Sequence, residues 1–386
     1  MAQPLRPLPL GTLGIVGGGQ LARMMIPSAT RLGMDVQVLD PTPRSPAGQL
    51  AAAQIDAGFD DAERIAELVA ASDWTTFELE AVDAQALDRL AAAGAHVRPA
   101  PSVLATIQDK LVQKQTLAAA GIPTAPFTEL DDPDPRAMVE FGLPLVQKAR
   151  RGGYDGRGVA VFTDVVVEER ILRTPSLLER FVPFRCELAV LVARGDDGDV
   201  RTWPVVEMVF DEDANVLDFL LAPARIDDTL AEEARRIAVD AVEAISGVGV
   251  FGVELFLTHG DEILVNEIAP RPHNSGHWTI EASETDQFEQ HVRAVTGLPL
   301  GSTRQLAPAV MVNLLGAPDA RGQPHVEQLA EVLALPGVAV HLYGKHTVAP
   351  LRKMGHATIT ASTLDEALAT ARRVRDTLRI TGDQTT

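Results

Sequence analysis

Short apolar runs alternate with amphipathic segments at the beginning of the chain. The runs at 12–16, 34–39, 74–77 and 95–98 are typical of buried strands, and the segments between them repeat apolar positions at helical spacing. Strands that alternate with helices favour a parallel sheet that is covered by helices. We therefore predict an open parallel sheet, and hence an α/β fold, in the amino-terminal region.

A glycine turn follows the first predicted strand and opens the first helix. Gly17, Gly19 and Ala22 fit a G-x-G-x-x-A pattern, and Asp40 ends the next strand. Such a turn binds dinucleotides in many α/β proteins, because its amides hold phosphate and the acid holds a ribose. The pattern is weak alone and also fits a tight turn without a ligand. Glu78 follows a later strand and is either a ligand or a helix cap.

The pattern of apolar positions changes beyond about residue 105. From there strands follow one another through turns rich in Asp and Gly, which is typical of antiparallel hairpins. The middle region is therefore predicted to be α+β. We place an amino-terminal domain at 1–105, a central domain at 106–298 and a carboxy-terminal domain at 299–386.

A run of glycines and arginines at 150–158 separates two predicted strands of the central domain. Glycines let backbone amides close on phosphate oxygens, and arginines neutralise those oxygens. The run is not a Walker loop, and it is either a phosphate-binding lid or a flexible surface hairpin. Lys148, inside the preceding apolar strand, indicates a specific anionic partner, because lysine is almost never fully buried without one.

Two adjacent apolar strands, joined by a short loop, each carry a glutamate. A two-residue loop at 260–261 would pair His259 with Glu262 and Glu254 with Glu267. Carboxylates opposite each other repel, and a divalent cation between them removes the repulsion. Magnesium is usually held by one or two carboxylates together with substrate phosphates. The pair therefore predicts a magnesium site, the alternative being two glutamates on a solvated face.

Composition narrows the functional classes. The chain has 386 residues, 46% of them hydrophobic, which suffices for about two or three domains. A net charge of −19 disfavours nucleic acid as a partner. The single Cys186 excludes an internal disulfide and is interpreted as a packed thiol in a reducing compartment. Because no apolar run has the length of a membrane span or signal peptide, we expect a cytoplasmic protein without a membrane partner.

These features together resemble the ATP-grasp superfamily and, within it, the N5-carboxyaminoimidazole ribonucleotide synthetase family. The resemblance runs from about residue 12 to about residue 360 and implies an amino-terminal parallel sheet, a central ATP-grasp domain and a small carboxy-terminal domain. The motifs that carry it are Gly17–Leu21, Lys148 with Arg151–Gly158, Asn266–Arg271, His273–Trp278 and Arg352–His356.

The resemblance assigns ligands to residues in three groups. The ATP site, between two antiparallel subdomains, comprises Lys110, Lys148, Gly153, Tyr154, Asp155, Gly156, Arg157, Gly158, Val159, Glu179, Arg180, Phe181, Val182, Glu187, Asn266 and Glu267. The 5-aminoimidazole ribonucleotide site comprises Gly19, Gln20, Leu21, Glu80, Asn274, Ser275, Gly276, Lys345, Arg352 and Lys353. The magnesium ligands are Glu254 and Glu267, which agrees with the hairpin register.

The resemblance also implies a reaction and an assembly. ATP phosphorylates bicarbonate to carboxyphosphate, and the carboxyl group then reaches the exocyclic amine of the ribonucleotide. Phosphoryl transfer relies on positioning and charge neutralisation more than on a protein nucleophile. Arg271 and Lys353 are the candidates for holding bicarbonate and the intermediate, His273 is a weaker candidate base, and Tyr154 is a further catalytic candidate. A homodimer is expected from the resemblance.

Two positions depart from the family's pattern, and other functions stay open. Glu207 stands near a position where the family often has a nucleotide-binding histidine, and Ala81 stands where it usually has asparagine. The alternatives are a formate-using glycinamide ribonucleotide transformylase, a nicotinamide-dependent oxidoreductase built on the first glycine turn, and a nucleotide-sensing module without catalysis. The spacing of His273 and His277 also allows a zinc site, although the H-E-x-x-H pattern is missing.

Overall fold

The amino-terminal region is a parallel sheet between helices. The computed structural model describes residues 10–153, 158–211 and 216–383. The sheet order is β3-β2-β1-β4, with all neighbours parallel, which confirms the prediction. Its elements are β1 (Gly11–Val16), α1 (Gln20–Arg31), β2 (Met34–Asp40), β3 (Ala53–Asp56), α2 (Ala62–Ala70), β4 (Trp74–Phe77), α3 (Ala84–Ala92) and α4 (Pro101–Gln108).

The strand predicted at 95–98 is wrong. This segment forms only an isolated parallel bridge, between Thr75 and Val97. Pro99 and Pro101 follow directly, and their missing N–H groups prevent a longer ladder.

A small antiparallel sheet follows, in the order β5-β8-β6-β7. Its own core contains Leu130, Met138, Leu145, Phe162 and Leu178, so it is a separate packing unit. The elements of this part are α5 (Lys110–Ala119), β5 (Phe127–Leu130), α6 (Pro135–Phe141), β6 (Leu145–Ala149), β7 (Val159–Phe162) and β8 (Ser176–Arg180).

A second, larger antiparallel sheet continues into the carboxy-terminal region. Its order is β14-β13-β9-β11-β12-β15-β18-β17, and β10 pairs with β9. The strands are β9 (Phe184–Arg194), β10 (Val200–Thr202), β11 (Val206–Asp211), β12 (Val216–Ala222), β13 (Gly249–Thr258), β14 (Ile263–Ala269), β15 (Ala309–Leu315), β17 (Val338–Leu342) and β18 (Lys353–Thr360); β16 (Pro324–Glu327) pairs separately with β19 (Arg379–Gly382). Strand β14 therefore lies at the edge of the large sheet.

Helices cover this sheet and join it to the other parts of the chain. They are α7 (Asp228–Ala244), α8 (Thr279–Ala282), α9 (Gln287–Val295), α10 (Leu329–Leu333) and α11 (Leu364–Thr377). Phe288, Val292 and Val295 of α9 pack into the core of the amino-terminal sheet. The domain boundaries at 105 and 298 stay a prediction, because packing continues across the first boundary and strand pairing continues across the second. Among the described residues, no helix is long and apolar enough to cross a membrane.

Aspartate caps begin many of these helices. The Asp61, Asp83, Asp227 and Asp286 carboxylates each accept a hydrogen bond from an N–H of the first helical turn. Such a cap satisfies donors that have no partner within the helix, and its loss costs about 1 kcal/mol. Asp109 caps α5 in the same way and thereby sets where Lys110 begins the helix.

A buried histidine joins the amino-terminal sheet to the large sheet, and we expect it to make folding sensitive to acid. His291 Nε2 lies 2.9 Å from Thr76 Oγ1, and the Val250 N–H donates to His291 Nδ1. Burial lowers the pKa of His291 to about 3. Below pH ~6.5 the unfolded chain therefore binds a proton at this histidine, whereas the folded chain does not. The unfolding free energy is therefore highest above this pH and falls as the pH is lowered, by about 2 kcal/mol at pH 5.

Urea unfolding at pH 7 and pH 5 measures this effect. The fall in unfolding free energy between the two pH values should be smaller in a His291→Gln variant than in the unmodified chain. Other buried histidines contribute equally to both proteins, so the difference isolates His291. Equal pH dependence in both proteins would contradict the prediction.

Candidate active site

The hairpin of β13 and β14 places Glu254 opposite Glu267, which confirms the predicted pair. The predicted loop is wrong. Leu257 pairs with Ile263, so the loop spans 259–261, and Asp261 adopts a left-handed conformation with φ 63°. Aspartate tolerates this conformation, which lets a three-residue loop replace the expected two-residue one.

A β-bulge restores the pairing of the two glutamates. The register shifts between Glu254 and Leu255, and Asn266 is the extra residue on β14. Val265 and Ile268 are buried, whereas Asn266 and Glu267 between them are both only partly buried. Bulges re-aim side chains in this way. The bulge therefore presents two consecutive polar side chains to the same cleft.

The two carboxylates are electrostatically unequal. Burial, followed by the charges of Glu267 and Glu187, raises the pKa of Glu254. The pKa of Glu267 is lowered, chiefly by Lys110, whose Nζ lies 2.5 Å from Glu267 Oε2. Glu187, on the neighbouring strand β9, has its pKa raised to about 7 by burial. The repulsion within this acidic group is what a bound cation would relieve.

The donor set fits magnesium bound together with a nucleotide. The two opposed carboxylates and the Asn266 amide beside them offer hard oxygen ligands. Magnesium is usually bound by one or two protein carboxylates, and the phosphates of the substrate supply further ligands. Within the described ranges, no group of three or more His, Cys, Asp or Glu residues could hold a metal without such help. Glu254 and Glu267 are therefore the residues that would hold the ion.

A buried chain of charges leads from the glutamate pair to the small sheet. Lys148 Nζ donates to Asn266 Oδ1 at 2.9 Å and lies 3.0 Å from Glu179 Oε2. Glu179 also lies 3.4 Å from Lys114 Nζ, and both of these side chains are 3% exposed. Burial lowers the pKa of Lys114 to about 8. Lys148 thus spans the cleft between the two sheets, where the nucleotide site was predicted.

Sequence reasoning missed Lys114. Its signal was available, because Lys114 lies four residues after Lys110 and therefore on the same face of α5. The Glu179 side chain, predicted to contact the nucleotide, is instead held between two lysines. In the predicted adenine segment 179–182, the N–H groups of Arg180 and Phe181 are bonded to the Pro126 and Pro144 carbonyls.

The predicted lid begins with an arginine that already has carboxylate partners. Arg150 Nη2 lies 2.9 Å from Asp109 Oδ2, and its Nη1 lies 2.6 Å from Glu129 Oε1. The positive charge of Arg150 is therefore already paired with carboxylates, and these contacts hold the amino-terminal end of the segment 150–158. Of the predicted ATP ligands in and next to the lid, the structure describes Gly153, Gly158 and Val159, whereas Tyr154, Asp155, Gly156 and Arg157 lie outside the described residues.

The glycine turn before α1 is filled by the protein's own carboxylates. Glu78 accepts hydrogen bonds from the N–H groups of Gly19 and Ala22. Asp40 accepts from the Gly18 N–H at 2.9 Å, so the acid that a dinucleotide ribose would require is used within the turn. The turn amides and the Asp40 carboxylate, which a dinucleotide would need, are therefore already bonded within the protein, and this disfavours a dinucleotide site. A ribonucleotide bound here would meet Gln20 and Leu21 and would find the Gly19 amide occupied.

Arg271 lies where the amino-terminal sheet meets the glutamate hairpin. Its Nη2 is 2.8 Å from Glu80 Oε1, so a predicted bicarbonate ligand and a predicted ribonucleotide ligand are paired with each other. The Nε of Arg271 is buried and has no hydrogen-bond partner among the described residues. This donor is suited to a small anion that enters the cleft.

His273 connects the glutamate pair with the segment that follows. Its Nδ1 lies 2.8 Å from Ser275 Oγ, and its Nε2 lies 3.5 Å from Glu254 Oε1. Ser275 and Gly276 are buried, so of the three predicted residues Asn274 is the more accessible one. The Ser275 hydroxyl orients the His273 ring.

His277 belongs to a buried cluster of aromatic rings, which disfavours the zinc alternative. Its ring lies 4.7 Å from that of His356, and its Nδ1 is 3.0 Å from Gln287 Nε2. Burial lowers the pKa values of His277 and His356 well below the usual range, so both rings are neutral. The cluster joins the segment after β14 to the carboxy-terminal region.

A loop of the carboxy-terminal region, at 343–353, contains the predicted ribonucleotide ligands Lys345, Arg352 and Lys353. Lys345 Nζ donates to the Lys353 carbonyl at 2.6 Å, and Arg352 donates to the Thr347 carbonyl at 2.7 Å. The loop also contacts the amino-terminal region, where Gln49 donates to the Gly344 carbonyl at 2.7 Å. Burial and the neighbouring glutamates raise the pKa of Glu254, and the charges of Lys110 and Lys353 oppose this rise, so Lys353 lies within electrostatic range of the glutamate pair.

Glu207, which departs from the family's pattern, has a partner of its own. It accepts hydrogen bonds from the backbone and side chain of Arg225, including one from Nε at 2.9 Å. Burial acts to raise the pKa of Glu207, but the hydrogen bonds and charge of Arg225 together outweigh burial, so the pKa is lowered. Glu207, on strand β11 of the large sheet, therefore forms an ion pair with Arg225. Cys186 on β9 packs against the core of this sheet, as predicted for a structural thiol.

Three family descriptions match successive parts of the chain. Residues 10–108 match the ribonucleotide synthetase preATP-grasp domain, and residues 115–288 match the ATP-grasp domain. Residues 309–370 match the phosphoribosylaminoimidazole carboxylase C-terminal domain. The predicted ATP-grasp architecture is confirmed.

Individual proteins are similar over nearly the whole chain. The N5-carboxyaminoimidazole ribonucleotide synthase of Synechococcus elongatus is 42% identical over 361 residues, which cover 92% of this chain and 90% of that protein. The crystal structure of N5-carboxyaminoimidazole ribonucleotide synthetase from Thermotoga maritima aligns with a TM-score of 0.90 at 49% identity, covering 97% of this chain and 100% of that one. The Aspergillus clavatus synthase, in complex with ADP and 5-aminoimidazole ribonucleotide, aligns with a TM-score of 0.85 at 36% identity, covering 95% and 98%.

Proposed function

The chain belongs to the N5-carboxyaminoimidazole ribonucleotide synthase family of ATP-grasp ligases, and on this basis we propose that it carboxylates 5-aminoimidazole ribonucleotide with bicarbonate at the expense of ATP. The observation that carries the proposal is the location of the Glu254 and Glu267 pair. Lys110 and Lys148 border the pair on the nucleotide side, and His273 borders it on the side of the ribonucleotide segment. Phosphoryl donor and carboxyl acceptor would thus meet at one cluster.

The first step forms a mixed anhydride. A bicarbonate oxygen attacks the γ-phosphorus of ATP, the bond from phosphorus to the ADP oxygen breaks, and carboxyphosphate results. Lys110 and Lys148 hold the phosphates, and Arg271 holds bicarbonate through its unpartnered Nε and its planar guanidinium. Magnesium, held by Glu254 and Glu267, would neutralise charge on the phosphate oxygens when it is bound with ATP.

The second step moves the carboxyl group to nitrogen. The exocyclic amine of the ribonucleotide attacks the carboxyl carbon of carboxyphosphate, or carbon dioxide released from it, and inorganic phosphate leaves. His273, whose Nε2 faces Glu254, is the candidate to accept the amine proton. Carboxyphosphate hydrolyses in water, so the predicted lid at 150–158 would have to exclude solvent during this step.

The proposed assembly rests on the resemblance to the family, and the proposed location rests on the sequence. We propose a homodimer in the cytoplasm, with ligand-binding roles for the residues assigned above and domain boundaries at 105 and 298. Light scattering of the purified chain measures the assembly directly.

Release of ADP, measured with each substrate omitted in turn, tests the proposed reaction. ADP should form rapidly only when ATP, bicarbonate and 5-aminoimidazole ribonucleotide are all present. Formate should not replace bicarbonate, because formate can supply only a formyl group, whereas the relatives are named for a carboxylated product. A carboxylated product must appear in step with ADP.

The alternatives predict different results in the same assay. A formate-using transformylase would release ADP with formate and glycinamide ribonucleotide. A nucleotide-sensing module would bind ATP without releasing ADP. A nicotinamide-dependent oxidoreductase would bind a nicotinamide cofactor, which the cofactor's fluorescence measures directly. Any of these outcomes in place of bicarbonate-dependent turnover would overturn the proposal.

Arg352 should act on the ribonucleotide and not on ATP. An Arg352→Ala variant should raise KM for the ribonucleotide about ten- to a hundredfold, since a charge-assisted hydrogen bond contributes about 1.5–3 kcal/mol. Arg375→Ala is the matched control, because Arg375 is exposed on α11 and pairs with Asp218. A rise in KM for ATP, with KM for the ribonucleotide unchanged, would assign Arg352 to the other substrate.

A further inference from the structure

Buried glutamines hold both backbone polar groups of a single residue at four places in the described part of the chain. In each pair, the side-chain oxygen accepts from the residue's N–H and the side-chain nitrogen donates to its carbonyl. The pairs are Gln113 with Ile268, Gln147 with Leu172, Gln287 with His273, and Gln290 with Gly301. Gln113 is 3% exposed and the other three glutamines are 0% exposed. The pairs of Gln113 and Gln287 lie in the candidate active site, and the other two do not.

Gln113 supports the edge strand next to its bulge. Ile268 N–H donates to Gln113 Oε1 at 3.1 Å, and Gln113 Nε2 lies 3.4 Å from the Ile268 carbonyl. At the same edge, Lys114 Nζ donates to the Val265 carbonyl at 3.1 Å. The bulge at Asn266 interrupts pairing with β13, and β14 lies at the edge of its sheet. Helix α5 therefore supplies partners that a further strand would supply elsewhere, together with the Pro123 carbonyl, which accepts from the Val265 N–H.

Gln287 holds the chain where it turns into the ribonucleotide segment. His273 N–H donates to Gln287 Oε1, and Gln287 Nε2 donates to the His273 carbonyl, both at 2.8 Å. The chain passes so close that a Cβ on Gly276 would lie 2.3 Å from Gln287 Oε1. The absence of a side chain at 276 is thus a condition for this contact.

The connection between these two anchors carries Arg271 and is short of backbone donors. Pro270 and Pro272 flank Arg271 and have no N–H, so a regular ladder cannot hold this part of the chain. Its backbone is instead held by hydrogen bonds from Gln113 at Ile268 and from Gln287 at His273. Ile268 directly follows Glu267, and His273 directly precedes Asn274.

We propose that Gln113 and Gln287 are positioning residues that fix both ends of the segment 268–273, and with it Arg271, relative to the glutamate pair and the ribonucleotide segment. The proposal rests on the proposed function for its catalytic readouts. Neither side chain touches a reacting atom. Their effect is geometric, since a misplacement of about 1 Å in such a site lowers rates about a hundredfold.

Replacement by methionine tests this role, because methionine has similar length and removes both backbone hydrogen bonds; at position 287 it also removes the contact with His277 Nδ1. Gln290→Met is the matched control, since it breaks the same kind of pair outside the site. All three variants should lose urea resistance to a similar degree. Only Gln113→Met and Gln287→Met should lower kcat, by about tenfold or more, and only Gln287→Met should also raise KM for the ribonucleotide. Gln113→Glu and Gln287→Glu, which keep the acceptor oxygen, serve if a methionine variant does not fold.

A binding measurement separates this proposal from the proposed function. Manganese can be titrated as a spectroscopic probe, by its free-ion electron paramagnetic resonance, in the presence of a non-hydrolysable ATP analogue. Gln113→Met should weaken manganese binding about tenfold, whereas Gln290→Met should leave it unchanged. Equal kcat and equal manganese affinity in all three variants would contradict the proposal and would show that the glutamines only stabilise the fold. If the unmodified chain does not turn over ribonucleotide, the proposed function fails, while the manganese comparison still decides the role of Gln113.

Discussion

A Glu267→Gln variant is expected to lose ATP turnover by at least about a hundredfold while remaining folded. The substitution keeps the size of the side chain but removes one negative charge from the pair that would hold magnesium. It also leaves Lys110, whose Nζ lies 2.5 Å from Glu267 Oε2, without the carboxylate that orients it. Both changes act where charge on the transferred phosphoryl group must be neutralised.

The measurement is the initial rate of ADP release at saturating magnesium, with circular dichroism and size-exclusion chromatography to establish folding. Glu262→Gln is the matched control, because Glu262 is an exposed glutamate at the turn of the same hairpin. This control should retain full activity. A folded, monodisperse Glu267→Gln protein whose kcat stays within about threefold of normal would contradict the assignment of the glutamate pair.

Replacing Arg271 with methionine is expected to lower kcat/KM for bicarbonate by about a hundred- to a thousandfold. The guanidinium is paired with Glu80 on one side and has a buried, unpartnered Nε on the other, so its loss removes the donors proposed for the bicarbonate and carboxyphosphate oxygens. Arg271→Lys should recover only part of the activity, because an ammonium group cannot form the same planar, forked contacts.

Steady-state kinetics with each substrate varied in turn checks this effect. The affinity for an ATP analogue, measured by calorimetry, should change little, because Arg271 lies on the Glu80 side of the cleft. Arg304→Met is a suitable control, since Arg304 makes an exposed ion pair with Glu284. If Arg271→Met leaves the bicarbonate dependence intact and instead raises KM for the ribonucleotide, Arg271 belongs to the ribonucleotide site.

Much of the fold was predictable because its signals are local. The alternation of apolar runs and helical segments at the amino terminus predicts the parallel sheet, since burial on both faces of a sheet requires continuous apolar strands. The Glu254 and Glu267 pair was predicted by counting back from an assumed two-residue loop between the two strands. The chemical motifs identify the family because a phosphate site needs particular residue types at particular places.

The hairpin shows how a correct pair can follow from an incorrect loop. The sequence predicts two loop residues, whereas the structure has three and compensates with the bulge at Asn266. Local rules do not determine whether an aspartate such as Asp261 adopts a left-handed conformation, because the energy difference is small and the packing of both strands decides it.

Contacts between distant segments were decided by the tertiary structure alone. The sequence leaves Glu78 as either a ligand or a helix cap and names no protein partner for Glu179; the fold places Glu78 on the amides of Gly19 and Ala22, and Glu179 between Lys114 and Lys148. A buried carboxylate must be paired, and which cation or amide pairs with it depends on how the sheets and helices pack. The sequence by itself determined the fold class, the family and the glutamate pair, whereas tertiary packing decided which polar groups are left for ligands and which are used to hold the site together.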